Sequence, residues 1–102
     1  MNDLAAISFS KKIKNKFPNI LESIWLFGSR ARGDFSEHSD YDFLIVFKEK
    51  NRELVKSVRE LEVDFLDEFD TLAASLIYDT SEWEKRKNFS IGRNILREGI
   101  LL

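Results

Sequence analysis

The stretch Leu26–Phe47, LFGSRARGDFSEHSDYDFLIVF, carries the strongest structural signals of the chain, because it joins a glycine-serine turn to a strand that opens with Asp-Tyr-Asp. The apolar run Ile24–Phe27 stops at Gly28 and Ser29, and good helix formers follow until Gly33. This order predicts a strand, a tight turn and a short helix.

The predicted turn is suited to binding an anion. Gly28 lets backbone N–H groups approach a ligand closely, and the start of a helix offers unpaired donors and a positive dipole end. Ser29 adds a hydroxyl donor, and Arg30 and Arg32 supply positive charge for phosphate oxygens. Because residues two apart on a helix do not share a face, only one arginine is expected to point at the anion. A plain turn without a ligand is the alternative interpretation.

Two carboxylates open the following strand. Asp40 and Asp42 precede Phe43–Phe47, which is apolar on both faces and therefore predicts a buried central strand. Residues i and i+2 point the same way, so the carboxylates stand on one face about 6.5 Å apart. Their repulsion is roughly 2.5 kcal/mol at an effective dielectric near 20, and solvent or a cation must offset it. Oxygen ligands with only His38 nearby suit Mg²⁺ or Mn²⁺. The alternative is a turn at Asp40 and a solvated strand start at Asp42.

Length and composition limit the interpretation further. The chain has 102 residues, of which 43% are hydrophobic, and this predicts one small domain over residues 1–102 with a single core and no second lobe. A net charge of -2 gives no overall basic field and argues against nonspecific nucleic-acid binding. Cysteine is absent, no signal peptide is visible and no apolar run is long enough to span a membrane, so a cytoplasmic location is expected.

The first half of the chain alternates helices and strands. Residues 3–16 predict an amphipathic helix that Pro18 ends, and residues 20–27 predict the first strand. Residues 51–61 predict a second amphipathic helix. This order is typical of an α/β domain with a small mixed sheet of three to four strands and helices packed on it.

The second half is expected to continue with a third strand. Residues 61–66 alternate apolar and polar side chains, which predicts a strand whose Glu62 and Asp64 fit the solvated face of a sheet edge. Residues 67–70 then predict an acidic turn, and residues 71–78 a short helix.

The C-terminal part predicts one more helix. The capping-box pattern Ser81–Glu84 marks its start, and the helix is expected to continue to Glu98 and end at Gly99. Trp83 and Phe89 fall outside its main apolar stripe and are candidates for a partner surface or for buried edges. The residues expected to face the core are Ile91, Ile95 and Leu96.

Together, the turn and the carboxylates describe a site for a metal-chelated polyphosphate, and their pattern resembles a known family. Gly28–Gly33 follows G-S-x-x-R-G and Asp40–Asp42 follows D-x-D, as in the DNA polymerase beta-like nucleotidyltransferase superfamily. Within it, GSRARG and SDYDFLIVF are most similar to the minimal nucleotidyltransferases, small proteins paired with HEPN-domain toxins. The motifs cover about a fifth of the chain, and Ile100–Leu102 resembles the closing strand of minimal members.

The resemblance implies a nucleotidyltransferase fold and the transfer of AMP from ATP to an acceptor hydroxyl. Asp40 and Asp42 would hold Mg²⁺ or Mn²⁺ during in-line attack on the α-phosphate. Asp64, on the predicted third strand, would complete the metal site and act as the base, with Glu62 as its alternative. The candidate nucleotide-binding residues are Gly28, Ser29, Arg30 and Arg32.

The resemblance also implies a partner. A HEPN-domain toxin would receive the nucleotide, the chain would act as its antitoxin, and a homodimer is also compatible with the pattern. The alternatives are a noncatalytic nucleotide-binding subunit that regulates another chain by binding it, and an antitoxin that neutralises its partner only by coating it.

Overall fold

The computed structural model of the protein describes residues 3–102 and confirms the α/β class, with a mixed sheet covered by helices on both faces. The helices are α1 (Leu4–Lys16), α2 (Ser29–Arg32), α3 (Arg52–Phe69), α4 (Thr80–Arg86) and α5 (Ser90–Glu98). The strands are β1 (Leu21–Phe27), β2 (Tyr41–Phe47), β3 (Ala73–Asp79) and β4 (Ile100–Leu101). None of the helices within residues 3–102 is both long and apolar enough to cross a membrane.

The sheet has four strands in the order β3-β2-β1-β4, so β2 is central as predicted. β1 pairs antiparallel with β2 and with β4, whereas β2 and β3 are parallel. α3 makes the crossover between the two parallel strands, because parallel neighbours cannot be joined by a tight turn. The terminal strand is also confirmed, since Ile100 pairs with Leu26.

The two faces of the sheet are covered by different helices. One face, here called the core face, packs against α1 and α3 and carries Tyr41, Phe43 and Phe47 of β2. Its aromatic rings are in direct contact, with ring centroids of Phe9 and Phe43 4.5 Å apart. The other face, here called the site face, carries Asp42, Leu44 and Val46 of β2 and is covered in part by α4 and α5.

The predicted strand over residues 61–66 is wrong, because these residues belong to α3. The helix begins after Asn51, whose side chain accepts the N–H of Leu54 at 2.8 Å, and it ends at Asp70, which has a left-handed φ of 52°. The alternating window misled the prediction because Leu61 and Phe65 also fit the helical spacing of i and i+4. The ring of Phe65 packs on the core face, and the helix is favoured by that burial.

The predicted acidic turn at 67–70 and the helix at 71–78 are consequently wrong as well. α3 continues through Phe69, and residues 73–79 form β3. The buried residues of β3 alternate at Ala73, Ser75 and Ile77, which is the period of a strand. β3 therefore supplies the third strand that the sequence analysis placed too early.

The C-terminal helix is divided into two. The capping box forms at Asp79, whose Oδ1 accepts the N–H of Glu82 at 2.8 Å, and the predicted box at Ser81–Glu84 is wrong. α4 ends at Arg86 and α5 begins at Ser90, whereas the predicted end at Gly99 is confirmed.

The apolar residues of this region are only partly buried. Ile95 is fully buried as expected, but Ile91 and Leu96 are 39% and 49% exposed, so their predicted core position is wrong. Trp83 is half-buried and packs on the site face near Tyr78, while Phe89 is exposed.

Candidate active site

The glycine-serine turn and the carboxylate strand meet in space. The last residue of β1, Phe27, is directly paired with Asp42 of β2, and Gly28 follows it at once. Gly28 has φ 72° and ψ -159°, a conformation that is essentially restricted to glycine. A Cβ atom at this position would also collide with Oδ2 of Asp42 and lie 3.2 Å from its Cγ. Glycine is therefore needed both for its backbone conformation and for the space that the carboxylate occupies.

The carboxyl group of Asp42 is affected by burial and by its charged neighbours. Asp42 is half-buried in β2, and Asp40 is exposed just before the strand. Burial raises the pKa of Asp42, the charge of Asp40 raises this pKa further, and Arg32 lowers it. Desolvation and repulsion thus disfavour the ionised form of Asp42, and a bound cation would relieve both effects.

The carboxylates at this site suit a metal ion that binds together with a nucleotide. Within residues 3–102, no cluster of three or more histidine, cysteine, aspartate or glutamate side chains could hold a metal ion unaided. Mg²⁺ commonly binds to one or two carboxylates, with substrate phosphates and water completing its octahedron. Asp40 and Asp42 match that arrangement, because they provide two carboxylates beside the candidate phosphate turn.

Arg30 supports the loop that precedes β2. Its Nε and Nη2 donate to the carbonyl of Ser39 at 3.2 and 3.0 Å, and Nη2 also donates to the carbonyl of Glu37. Its guanidinium lies over the rings of Phe35 and Tyr41, 4.3 and 4.4 Å from their centroids. Through these contacts, Arg30 stabilises the loop that leads to Asp40.

Arg32 forms ion pairs with Asp34 and Glu98 and acts electrostatically on Asp42. Its Nε donates to Oδ2 of Asp34 at 3.2 Å and its Nη1 to Oε1 of Glu98 at 3.1 Å, and these bonds raise the pKa of Arg32. Its charge also lowers the pKa of Asp42, which places it within electrostatic reach of the site. The two arginines therefore have different surroundings, and that only one of them contacts the anion stays a prediction.

Asp64 is not brought to the carboxylate pair. It lies on the exposed side of α3, and α3 packs on the core face through Phe65, which contacts Tyr41 and Phe43. Asp42 points to the opposite face of the sheet, because side chains alternate along a strand. The predicted role of Asp64 depended on a strand over residues 61–66, and the prediction of that strand is wrong. Its alternative, Glu62, lies on the same helix, where its carboxylate forms a salt bridge with Arg59.

The strand position beside Asp42 carries no acid. In the parallel register of β2 and β3, the partner of Asp42 is Ala74. An open cavity of about 200 Å³ lies here, lined by Phe27, Asp42, Ala74, Ser75, Leu76 and Ile91. The sequence analysis missed this cavity because its lining comes from four elements that only the folded chain brings together.

The amino-acid sequence is similar to known nucleotidyltransferases. A family model described as a nucleotidyltransferase domain matches residues 7–102. The chain is 34% identical over 103 residues to a protein of Methanocaldococcus jannaschii that is provisionally named a protein adenylyltransferase. That match covers 100% of this chain and 99% of the relative.

The fold is similar to chains in two solved toxin–antitoxin complexes. One is MntA–HpeT, with a TM-score of 0.66 and 20% identity over 98% of this chain and 72% of the other. The second is a tri-AMPylated HEPN toxin of Shewanella oneidensis in complex with an MNT antitoxin, with a TM-score of 0.55 and 17% identity. The second match covers 96% of this chain and 71% of the other. Both matches show a shared fold.

Proposed function

Because the chain belongs to the nucleotidyltransferase domain family, we propose that it transfers AMP from ATP to a hydroxyl group of a HEPN-domain partner and acts as the partner's antitoxin. Nucleotidyl transfer follows from the family. The adenine nucleotide, the metal dependence, the partner and a cytoplasmic location are the proposed part.

The observation that carries this proposal is the contact between the turn and the carboxylate strand. Gly28 lies against the carboxylate of Asp42, so a triphosphate held by the turn would have its metal ligands beside it. Asp40 and Asp42 would hold Mg²⁺ or Mn²⁺, which would neutralise charge on the phosphates. Ser29 and Arg32 would donate hydrogen bonds to phosphate oxygens.

The residues of the site would orient the donor for in-line attack. The acceptor oxygen forms a bond to the α-phosphorus while the bond to the departing pyrophosphate breaks. Positioning supplies much of such catalysis, and the acceptor must be fixed near the phosphate. Residues 3–102 form one sheet domain without a second lobe, so a second chain is the proposed source of the acceptor.

Two comparisons support the choice of partner. Chains of the same fold occur in complexes of toxin and antitoxin, and in one of these the HEPN toxin carries AMP. A relative that matches this chain over its full length is named for adenylyl transfer to protein.

The test is to incubate this protein with the product of the gene adjacent to its own, ATP and Mg²⁺, and to weigh both chains by intact mass spectrometry. The expected result is a gain of one or more AMP groups on the partner, which disappears with EDTA or with Asp42→Asn. An unchanged partner mass in a complex that does form would overturn the transfer.

One observation favours a second candidate, a noncatalytic subunit that binds nucleotide and regulates its partner by contact. Ala74 occupies the strand position beside Asp42, so the site face offers the acceptor no additional carboxylate from β3. Under this alternative, the protein would bind radiolabelled ATP and its partner without turnover. Under the proposed transfer, the label would move to the partner.

A further inference from the structure

We propose that Glu98 is a positioning residue that holds Arg32 in place for the phosphates. This inference rests on the proposed nucleotide binding and adds a side chain from the far end of the sequence to that site. Its basis is the bond from Nη1 of Arg32 to Oε1 of Glu98, 3.1 Å long, between residues 66 positions apart.

The backbone anchors Glu98 next to the phosphate turn. Glu98 is the last residue of α5, and Gly99 then leads directly into β4. Ile100 of β4 pairs with Leu26 of β1, close to the end of the strand from which the turn departs. The sheet itself therefore fixes the distance between this carboxylate and the turn.

The charge of Glu98 is unfavourable for its own helix. The C-terminal end of a helix carries the negative end of the dipole, so an acidic last residue is disfavoured there. Within residues 3–102, the neighbouring Arg97 forms no salt bridge with Glu98, and its Nη2 donates to Oδ1 of Asn94. The positive charge that balances Glu98 is that of Arg32, which comes from the candidate site.

Glu98 is also the better anchored of the two carboxylates that hold Arg32. Its side chain is 24% exposed, whereas that of Asp34 is 63% exposed. Exposed ion pairs restrain side chains weakly, because solvent screens them and the side chains stay mobile. The orientation of the guanidinium therefore depends mainly on Glu98.

Arg32 keeps donors for a ligand while it is held. A guanidinium has five N–H groups, and the two bonds use Nε and one hydrogen of Nη1. Within residues 3–102, Nη2 donates no hydrogen bond to the protein. A phosphate can therefore bind to Arg32 without displacing Glu98 and without the entropy cost of ordering a free arginine.

The experiment compares two variants that remove the same charge. Glu98→Gln keeps an oxygen that can accept the Nη1 hydrogen, whereas Glu98→Ala does not. ATP affinity in Mg²⁺ is measured by isothermal titration for both variants, each with Arg32 and with Arg32→Ala. We expect Glu98→Ala to bind ATP about three- to tenfold more weakly than Glu98→Gln, the loss typical of an unordered long side chain. With Arg32→Ala, this difference should disappear.

The controls separate positioning from folding. Arg97→Ala alters the same end of α5 without touching Arg32, and its ATP affinity should equal that of the wild type. Melting curves of all variants report their folding, and in a transfer assay the change should appear in KM for ATP and not in kcat.

Equal affinity of Glu98→Ala and Glu98→Gln would overturn the inference, and so would a difference that survives Arg32→Ala. Either result, with wild-type protein that binds ATP through Arg32, would leave the proposed function standing. A wild type that binds no ATP would overturn both.

Discussion

The two faces of the sheet perform different tasks although the same strand contributes to both. On the core face, α1 and α3 cover β2 completely, and Phe9, Phe43 and Phe65 are 2% exposed or less. On the site face, Leu44 and Val46 are equally buried, but the cover stops before Asp42, where the cavity opens. Side chains alternate along a strand, so successive residues of β2 serve the core and the site in turn.

This difference teaches where a small domain can place a charged site. A face that is sealed by two helices has no room for an unpaired carboxylate, because burying a charge without a partner is costly. At the open end of the site face, Asp42 stays half-buried, and burial raises its pKa without removing it from water completely. Substitutions of the neighbouring residues Asp42 and Phe43 should therefore have separate effects, on activity and on stability.

The largest expected effect is on the core face. Phe43→Ala should lower the free energy of unfolding by about 3–5 kcal/mol, because it removes a fully buried ring that stacks on Phe9. Urea denaturation measures the change, and Phe89→Ala is the control, since Phe89 is 61% exposed and should change stability by less than about 0.5 kcal/mol. Similar losses in the two variants would contradict the assignment of the core face.

The next largest effect is on the site face. Asp42→Asn should reduce AMP transfer more than about a hundredfold, because changes that merely surround a metal ligand already cost 10- to 100-fold. Asp64→Asn is the matched control on the other side of the sheet, and it should transfer AMP at the wild-type rate. Initial rates with radiolabelled ATP measure both. Strong loss in Asp64→Asn would restore the role that the sequence analysis assigned to Asp64.

Asp42→Asn should not lower the stability of the fold, although it should lower the rate of AMP transfer. The raised pKa of Asp42 means that the folded chain binds its proton more tightly than the unfolded chain. The contribution of this group to stability is therefore largest below the unfolded pKa and is lost as pH rises through the folded pKa. At neutral pH the variant should melt at the same temperature as the wild type or higher, and a lower melting temperature would show that the ionised carboxylate supports the fold.

A smaller effect on stability is expected from alanine substitutions at the two glycines that flank α2. Gly28 and Gly33 both have positive φ, of 72° and 89°, so alanine is strained at either position. Only at Gly28 would the new methyl group also meet Asp42, since no heavy atom lies within 4 Å of the corresponding position at Gly33. Gly28→Ala should cost at least about 1 kcal/mol more in urea denaturation and weaken ATP binding more than Gly33→Ala. Equal effects would mean that the turn and the carboxylate are not in contact.

Elements with local signals could be predicted from the amino-acid sequence. Gly28 and Ser29 after an apolar run predicted the turn, and the pair Asp40 and Asp42 predicted the acidic start of a buried strand. Such signals are reliable because a positive φ or a run apolar on both faces depends on adjacent residues alone. The central position of β2, α1 and the end of α5 at Gly99 are predictions of this kind that the structure confirms.

The other features depend on contacts between residues that are far apart in the sequence. A window of six alternating residues fits both a strand and a helix, and α3 is selected because Phe65 packs between Phe9 and Tyr41. The different surroundings of the two arginines depend on the loop that Arg30 holds and on Glu98, which the chain brings to Arg32 from 66 positions away. Contacts of this separation leave no local pattern, because they arise from the pairing of β4 with β1 and from the helices that cover each face of the sheet.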